Sequence, residues 1–282
     1  MARIAGGWCG KLSQGILTAV PRHLMPALFA FLVLPAAATA QDRPFIFTVA
    51  TSPGTAASAP RVRIDYELGL GDQAFHQQAT DGPEQRFGVQ ATRGRLTFIG
   101  HVGVARETSA YQSSQQGEIL VSLLPRSATR FAIAAGGGVL HEAGGANVLL
   151  GRIVAGREGT STRAFGNLLV QKPLATGRDA IDVITSFGWA ARVTPALAIG
   201  VEAIGEDIEG FWDAAEAEGG SRILVGPSLH LAPAGRRWQV SLAGGPTFHP
   251  TAVTGKTSTA LRDLPAANMR DYAARMTFAV RF

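Results

Sequence analysis

Hydrophobic and polar residues alternate along most of the chain after residue 60. The pattern is clearest at the C-terminal end, where one face is apolar and the other carries Asp271, Arg275 and Arg281. Successive side chains of a β-strand point to opposite faces, so this period of two predicts strands with one apolar face. The apolar face of the last segment is formed by Tyr272, Ala274, Met276, Phe278, Val280 and Phe282.

The same alternation, followed along the chain, predicts twelve strands. Most have about the length of 9–11 residues that a tilted strand needs to cross a bilayer, whereas strands of soluble proteins usually have about five or six. Residues 147–172 fit least well, because apolar residues there fall on both faces. The predicted strands are 61–71, 85–92, 95–105, 116–124, 130–140, 147–155, 163–172, 180–193, 196–205, 221–231, 237–245 and 271–282.

The connections between these segments alternate in length in most places. Short, turn-forming sequences such as Thr194-Pro195 and 232–236 are expected at one end of the strands. Longer and more polar connections are expected at the other end, at 72–84, 106–115, 206–220 and 246–270. Short periplasmic turns and long outer loops are typical of outer-membrane barrels, which places both chain termini in the periplasm.

Alternation alone does not say which face is inside, so a secreted sandwich or a lipocalin-like barrel is the alternative. Strand length and the placement of aromatic residues favour a membrane barrel. Aromatic side chains on the apolar face lie near the short turns, where an aromatic girdle is expected. A closed barrel also leaves no unpaired backbone groups in lipid. These aromatic residues are Phe98, Phe131, Trp189, Trp238 and Phe282.

The last strand, Asp271 to Phe282, resembles the C-terminal signature of bacterial outer-membrane barrels, whose final aromatic residue is read by the assembly machinery. Looser similarities to porin-like and transporter-like barrels of Gram-negative bacteria lie at Phe187-Gly-Trp-Ala, Ile199-Gly-Val-Glu and Val225-Gly-Pro-Ser-Leu. The resemblance implies an all-β, transmembrane, antiparallel up-and-down barrel of about twelve strands. It also implies residence in the outer membrane, contact with its lipid and assembly through the strand that ends at Phe282.

The N-terminal region is predicted to be a secretory signal peptide, residues 1–40. A basic start is followed by the apolar run 25–35 and an Ala-rich end, so cleavage is expected after Ala40. Residues 41–60 are then an N-terminal extension, which could be an extra strand, a plug of the lumen or a periplasmic tail. The barrel itself is assigned to residues 61–282.

Composition narrows the function classes. The net charge of +5 falls to +2 without residues 1–40, because 23 basic and 21 acidic residues remain, and this is no footprint of nucleic-acid binding. The single cysteine, Cys9, lies in the predicted signal peptide, so no disulfide or thiolate metal site is expected. No stretch after residue 41 is apolar for 18 residues, which argues against helical membrane spans.

In a membrane barrel, the polar face lines a lumen. Its side chains could set the selectivity of a water-filled path for small solutes, or they could fill the interior of a non-conducting barrel with a structural or interaction role. Twelve strands lie between the packed eight-stranded and open sixteen-stranded cases. Passage is the preferred hypothesis. The candidate lumen residues are Arg63, Asp65, Glu67, Arg86, Gln90, Arg95, His101, Glu118, Arg130, Asp182, Arg192, Glu202, His230, Gln239 and Arg275.

No enzymatic activity, cofactor or metal is predicted. An outer-membrane lipid-modifying enzyme is the third hypothesis, after solute passage and the structural barrel. Outer-membrane phospholipases place a histidine and a serine two residues apart, and no histidine here is followed by a serine at that spacing. The acidic stretch Asp207–Glu218 contains carboxylates of the kind that bind divalent cations, but its spacing matches no Ca²⁺ loop. A solvated acidic loop, with Phe211 and Trp212 packed over the barrel mouth, is therefore the preferred interpretation.

Overall fold

The computed structural model describes most of the chain after residue 44. The described residues are 45–50, 60–71, 83–107, 110–124, 131–142, 145–175, 180–212, 221–248, 250 and 271–282. The predicted signal peptide lies outside them. Within these ranges, no helix is long and apolar enough to span a bilayer.

Twelve strands account for nearly all of the described residues. A short 3-10 turn, Ile208–Phe211, follows the ninth strand. The strands are β1 (Arg61–Gly71), β2 (Glu84–Arg93), β3 (Leu96–Glu107), β4 (Ala110–Ser122), β5 (Phe131–His141), β6 (Asn147–Glu158), β7 (Thr162–Pro173), β8 (Asp182–Arg192), β9 (Leu197–Glu206), β10 (Arg222–Leu231), β11 (Trp238–Phe248) and β12 (Asp271–Arg281).

Each strand pairs with its neighbours in the sequence, and all pairs are antiparallel. The first and last strands also pair, so that Tyr66 lies opposite Phe278, and this pairing closes the sheet into a barrel. Closure leaves no edge strand with unpaired N–H and C=O groups. The prediction of an all-β, antiparallel barrel of about twelve strands is therefore confirmed.

One predicted loop is wrong. Residues 106–115 were expected to connect β3 and β4, but the two strands stay paired as far as Glu107 opposite Ala110. The polar run Gln112-Ser-Ser-Gln-Gln116 has a loop-like composition. Pairing of a hairpin depends on its backbone, however, and does not require an alternation of apolar and polar side chains.

The two ends of the barrel differ in their connections. The terminal rim, as we call it, contains the start of β1 at Arg61 and the end of β12 at Arg281, together with turns such as 94–95 and 193–196. The opposite rim contains longer connections, including 207–221 and 249–270. Short and long connections thus alternate in most places. The exceptions are the tight β3–β4 hairpin and the β5–β6 connection, 142–146, which is shorter than the β4–β5 connection, 123–130, at the terminal rim.

The alternation places apolar side chains on the outside of the barrel. These side chains are between about 38% and 60% exposed at mid-strand positions. Ionisable side chains of the same strands point inwards and are buried, as at Glu118 and Asp182. Examples of the outward residues are Phe87, Ile119, Val139, Ile153, Leu168, Phe187, Val201, Leu229 and Phe278.

The irregular pattern of residues 147–172 now has a physical explanation. Ile153 and Leu168 point outwards, but Val154 and Leu169 point inwards and are almost fully buried. One sector of the lumen, on β5 to β9, is therefore apolar.

Candidate functional site: the lumen and the segment inside it

Ten of the predicted lumen residues are buried inside the barrel. Gln90 and His101 are half-buried, and Arg130 lies outside the described residues. Arg192 is exposed at the terminal rim, where it lines a cavity at the mouth. The buried set is Arg63, Asp65, Glu67, Arg86, Glu118, Asp182, Glu202, His230, Gln239 and Arg275.

The placement of Arg95 in the lumen was wrong. The residue lies in the exposed turn between β2 and β3, because β3 begins only at Leu96. The predicted strand started one residue too early and so included a turn residue among the inward positions.

Ion pairs connect the polar wall of the lumen. Arg275 donates one hydrogen bond to Glu67 and another, of 2.8 Å, to Glu84. Arg86 donates to the other carboxylate oxygen of Glu67 at 2.7 Å. On the other side of the lumen, Arg152 binds both carboxylate oxygens of Glu118 at 2.7 and 2.9 Å. Buried charges are tolerated when they are paired in this way.

Residues 45–50 lie within the barrel and contact its apolar sector. All six residues are at least 93% buried. Ile46 and Phe47 pack with Leu140, Leu169 and other residues in the half nearer the opposite rim. Phe45, Val49 and Ala50 pack with residues nearer the terminal rim. The segment therefore turns back on itself inside the lumen, and we call it the lumen segment.

Two inward side chains hold the backbone of the lumen segment. The N–H groups of Ile46 and Phe47 both donate to the same carboxylate oxygen of Glu202, each at 2.8 Å. The Asn167 amide binds the backbone of Val49 in both directions: its oxygen accepts from the Val49 N–H at 2.7 Å, and its nitrogen donates to the Val49 carbonyl at 2.8 Å. These contacts replace the backbone pairing that an isolated segment lacks.

A glycine in the barrel wall provides the space for the first aromatic ring of the lumen segment. A Cβ atom added to Gly188 would lie 2.5 Å from two ring carbons of Phe45. The same ring lies near Phe165, with centroids 6.3 Å apart, and contacts His230 edge-on at 5.9 Å. The Phe47 ring lies under the Arg275 guanidinium at 5.8 Å, a cation–π distance.

The free energies of burial and of backbone ordering nearly balance for the lumen segment, which fits a segment that can leave the lumen. Burying Phe45, Ile46, Phe47 and Val49 stabilises the seated state by roughly 6–12 kcal/mol. Fixing the backbone of six residues costs about 6–12 kcal/mol, so these two contributions are of similar size. The four hydrogen bonds to Glu202 and Asn167 then decide the balance, since a neutral hydrogen bond contributes about 0.5–1.5 kcal/mol and one to a charged group about 1.5–3 kcal/mol. No covalent bond joins the described lumen segment to the barrel wall.

One polar cluster of the lumen matches a catalytic pattern in composition. His230 contacts Ser241 through Nδ1 and Ser228 through Nε2, both at 3.1 Å, and Glu202 lies 3.8 Å from Nε2. The sequence pattern of a histidine followed two residues later by a serine does not include Ser228, because this serine precedes His230. All four side chains are at most 5% exposed, and Phe45 contacts the imidazole edge-on. His230 also lines the cavity at the mouth of the terminal rim.

Empty space remains in the lumen beside the lumen segment. One small cavity lies beside Phe47 and Val49, and its wall includes Arg86, Arg152 and Asn167. A second cavity lies at the mouth of the terminal rim and reaches His230 and Gln239. The lumen segment therefore does not fill the lumen completely.

Comparisons with known proteins identify the fold. No protein-family model matches the chain, and no curated protein matches its sequence. The structure of a KdgM porin matches with a TM-score of 0.51 at 11% sequence identity, over 78% of this chain and 99% of the porin. The chain shares the barrel fold of the KdgM porin. A KdgM porin in complex with disordered oligogalacturonate gives a TM-score of 0.53 at the same identity and coverage.

Asn167 was absent from the predicted site, although it holds the lumen segment. The sequence contains a signal for it, since Asn167 is a polar residue in an otherwise apolar run, Phe165 to Val170. Such a residue on an apolar face needs a hydrogen-bond partner when it is buried. The partner is the backbone of a segment 118 residues away, which no local pattern indicates.

Proposed function

We propose that this protein is an outer-membrane barrel that passes small solutes through a lumen closed by residues 45–50. Displacement of the lumen segment toward the terminal rim opens the path. The observation that carries this proposal is the seating of the segment by Glu202 and Asn167 against the apolar sector of a lumen whose remaining wall is charged and polar. The fold shared with a porin supports it.

The outer surface supports residence in a membrane. Large apolar side chains are exposed around the barrel at mid-strand, including Ile119, Ile153 and Phe278. An apolar band of this kind is costly in water and suits the hydrocarbon of a bilayer. The proposal also includes export by the N-terminal signal peptide, assembly through the strand ending at Phe282 and residence in a Gram-negative outer membrane. The terminal rim then faces the periplasm.

The charges of the lumen favour cationic solutes. On the described strands, seven carboxylates are buried against five arginines. The exposed arginines of the terminal rim, such as Arg192, are screened by solvent over about 8–10 Å, so the buried charges govern the narrow part of the path. The carboxylates are Asp65, Glu67, Glu84, Glu118, Asp182, Glu202 and Glu206, and the arginines are Arg63, Arg86, Arg152, Arg222 and Arg275.

A reversal potential measured across a KCl gradient tests this preference. The experiment uses the refolded protein in a planar bilayer of uncharged lipid, so that the membrane itself contributes no selectivity. We expect the sign of the reversal potential to correspond to a preference for K⁺ over Cl⁻. A preference for Cl⁻ would contradict the assignment of cationic solutes while leaving passage intact.

A non-conducting barrel with a structural or interaction role is the second candidate. It is favoured by the buried ion pairs that join different strands and by the apolar contacts of the lumen segment, which together resemble a packed core. The two functions differ in one property, namely whether removal of the lumen segment produces conductance. We do not propose an enzyme, because the side chains of the serine–histidine cluster are at most 5% exposed and Glu202 accepts hydrogen bonds from the lumen segment.

A further inference from the structure

Three buried carboxylates meet at the opposite rim, away from the lumen segment. They belong to Asp182 at the start of β8, Asp207 directly after β9, and Glu209 in the 3-10 turn. One oxygen from each lies within 4.8 Å of the other two, and each residue is at most 3% exposed. Three negative charges this close repel one another strongly in a buried site.

The hydrogen bonding of Asp207 provides a second, independent observation. Its Oδ2 atom is buried and has no hydrogen-bond partner among the described residues. A carboxylate that is withdrawn from water in this way needs a compensating charge or ligand. The Asp207 backbone is fixed in place, since its carbonyl accepts a hydrogen bond from the Ser221 hydroxyl at 2.7 Å.

The other two carboxylates are positioned by different elements. Asp182 is the first residue of a strand, and Glu209 accepts a hydrogen bond from the Val183 N–H at 2.9 Å through one of its two oxygens. The cluster therefore joins the β9–β10 connection to the start of β8. A ligand bound there would tie residues 207–209 to the start of β8.

We propose that Asp182, Asp207 and Glu209 bind a divalent cation, with Ca²⁺ as the ion of matching chemistry. Ca²⁺ prefers carboxylate and carbonyl oxygens at about 2.3–2.6 Å. Two oxygens on opposite sides of such an ion are thus about 4.6–5.2 Å apart at most, which fits the observed spacing. Its irregular coordination also suits ligands drawn from a strand and a turn. This site goes beyond solute passage and does not depend on it.

Terbium luminescence tests the site directly. Tb³⁺ replaces Ca²⁺ at oxygen sites, and Trp212, three residues after Glu209, is placed to sensitise its emission. The protein is refolded in detergent without lipopolysaccharide, which binds divalent cations itself, and is treated with EDTA beforehand. We expect saturable Tb³⁺ emission that Ca²⁺ displaces, and a higher thermal unfolding midpoint with Ca²⁺ than with EDTA.

The variant Asp207→Asn separates binding from folding. Asparagine has the same shape and also tolerates the left-handed backbone of this position, where φ is 52°. We expect at least a tenfold weaker Tb³⁺ affinity and loss of the Ca²⁺-dependent change in unfolding midpoint. The matched control is Glu142→Gln, a buried carboxylate on the same rim outside the cluster, which should bind Tb³⁺ as the unmodified protein does.

Two results would overturn the proposal. One is the absence of saturable emission together with identical unfolding midpoints in Ca²⁺ and EDTA, which would mean that charges of the protein itself neutralise the cluster. The other is equal Tb³⁺ affinity in Asp207→Asn and the unmodified protein, which would place the bound ion elsewhere.

Discussion

Replacing Gly188 with alanine is expected to displace the lumen segment. The added Cβ would lie within 2.5 Å of the Phe45 ring, which is enclosed by Phe165 and His230 and cannot move aside cheaply. The readout is the rate at which a thiol reagent labels Thr48→Cys in a chain that also carries Cys9→Ser. Thr48 is fully buried, so labelling should be slow, and Gly188→Ala should accelerate it at least tenfold.

Gly151→Ala is the matched control for this experiment. Gly151 lies at an exposed position of β6, and a Cβ there would meet no atom within 4 Å. It should therefore leave the labelling rate of Thr48→Cys unchanged. Rapid labelling in the unmodified background, or equal rates for both glycine variants, would mean that Gly188 does not control the position of the lumen segment.

Ile153→Arg is expected to prevent insertion into a bilayer. Ile153 is half exposed on the outer wall and lies at the middle of β6. An arginine at the bilayer midplane destabilises a membrane barrel by about 2–4 kcal/mol. Folding into lipid vesicles, followed by the heat-dependent gel shift that folded barrels undergo, should show a loss of most of the folded protein.

The variant Ile153→Ala isolates the effect of the charge. It removes about the same apolar contact without introducing a cation, so a barrel in lipid should tolerate it. If Ile153→Arg folds into vesicles as well as Ile153→Ala, the outer wall does not face hydrocarbon and the membrane assignment fails.

The barrel could be predicted from the sequence because its main determinant is local. Alternation along β1, β8 and β12 identifies strands, their two faces and their lengths without reference to any distant residue. The β3–β4 hairpin was less predictable, since polar residues on both faces of Ala110–Gln116 removed the alternation that marks a strand. Backbone pairing across Glu107 and Ala110 does not depend on that pattern.

The interior was harder to predict for a physical reason. Glu202, His230 and Arg275 were identified because an inward face of a barrel collects polar groups. The pairing of Glu202 and Asn167 with the lumen segment, 118 to 156 residues earlier in the chain, depends on three-dimensional closure. The apolar residues on both faces of β6 and β7 were a local sign of the contact with the lumen segment, but alternation alone could not identify the segment as their partner.

Single-channel conductance in a planar lipid bilayer tests the central proposal most directly. The unmodified protein is compared with a variant lacking residues 45–50, after the gel shift has shown that both are folded. We predict that the unmodified protein is closed for most of the time and that the deletion variant gives long-lived conductance steps of consistent size. A folded deletion variant with no conductance would contradict solute passage and would identify the lumen as a packed core.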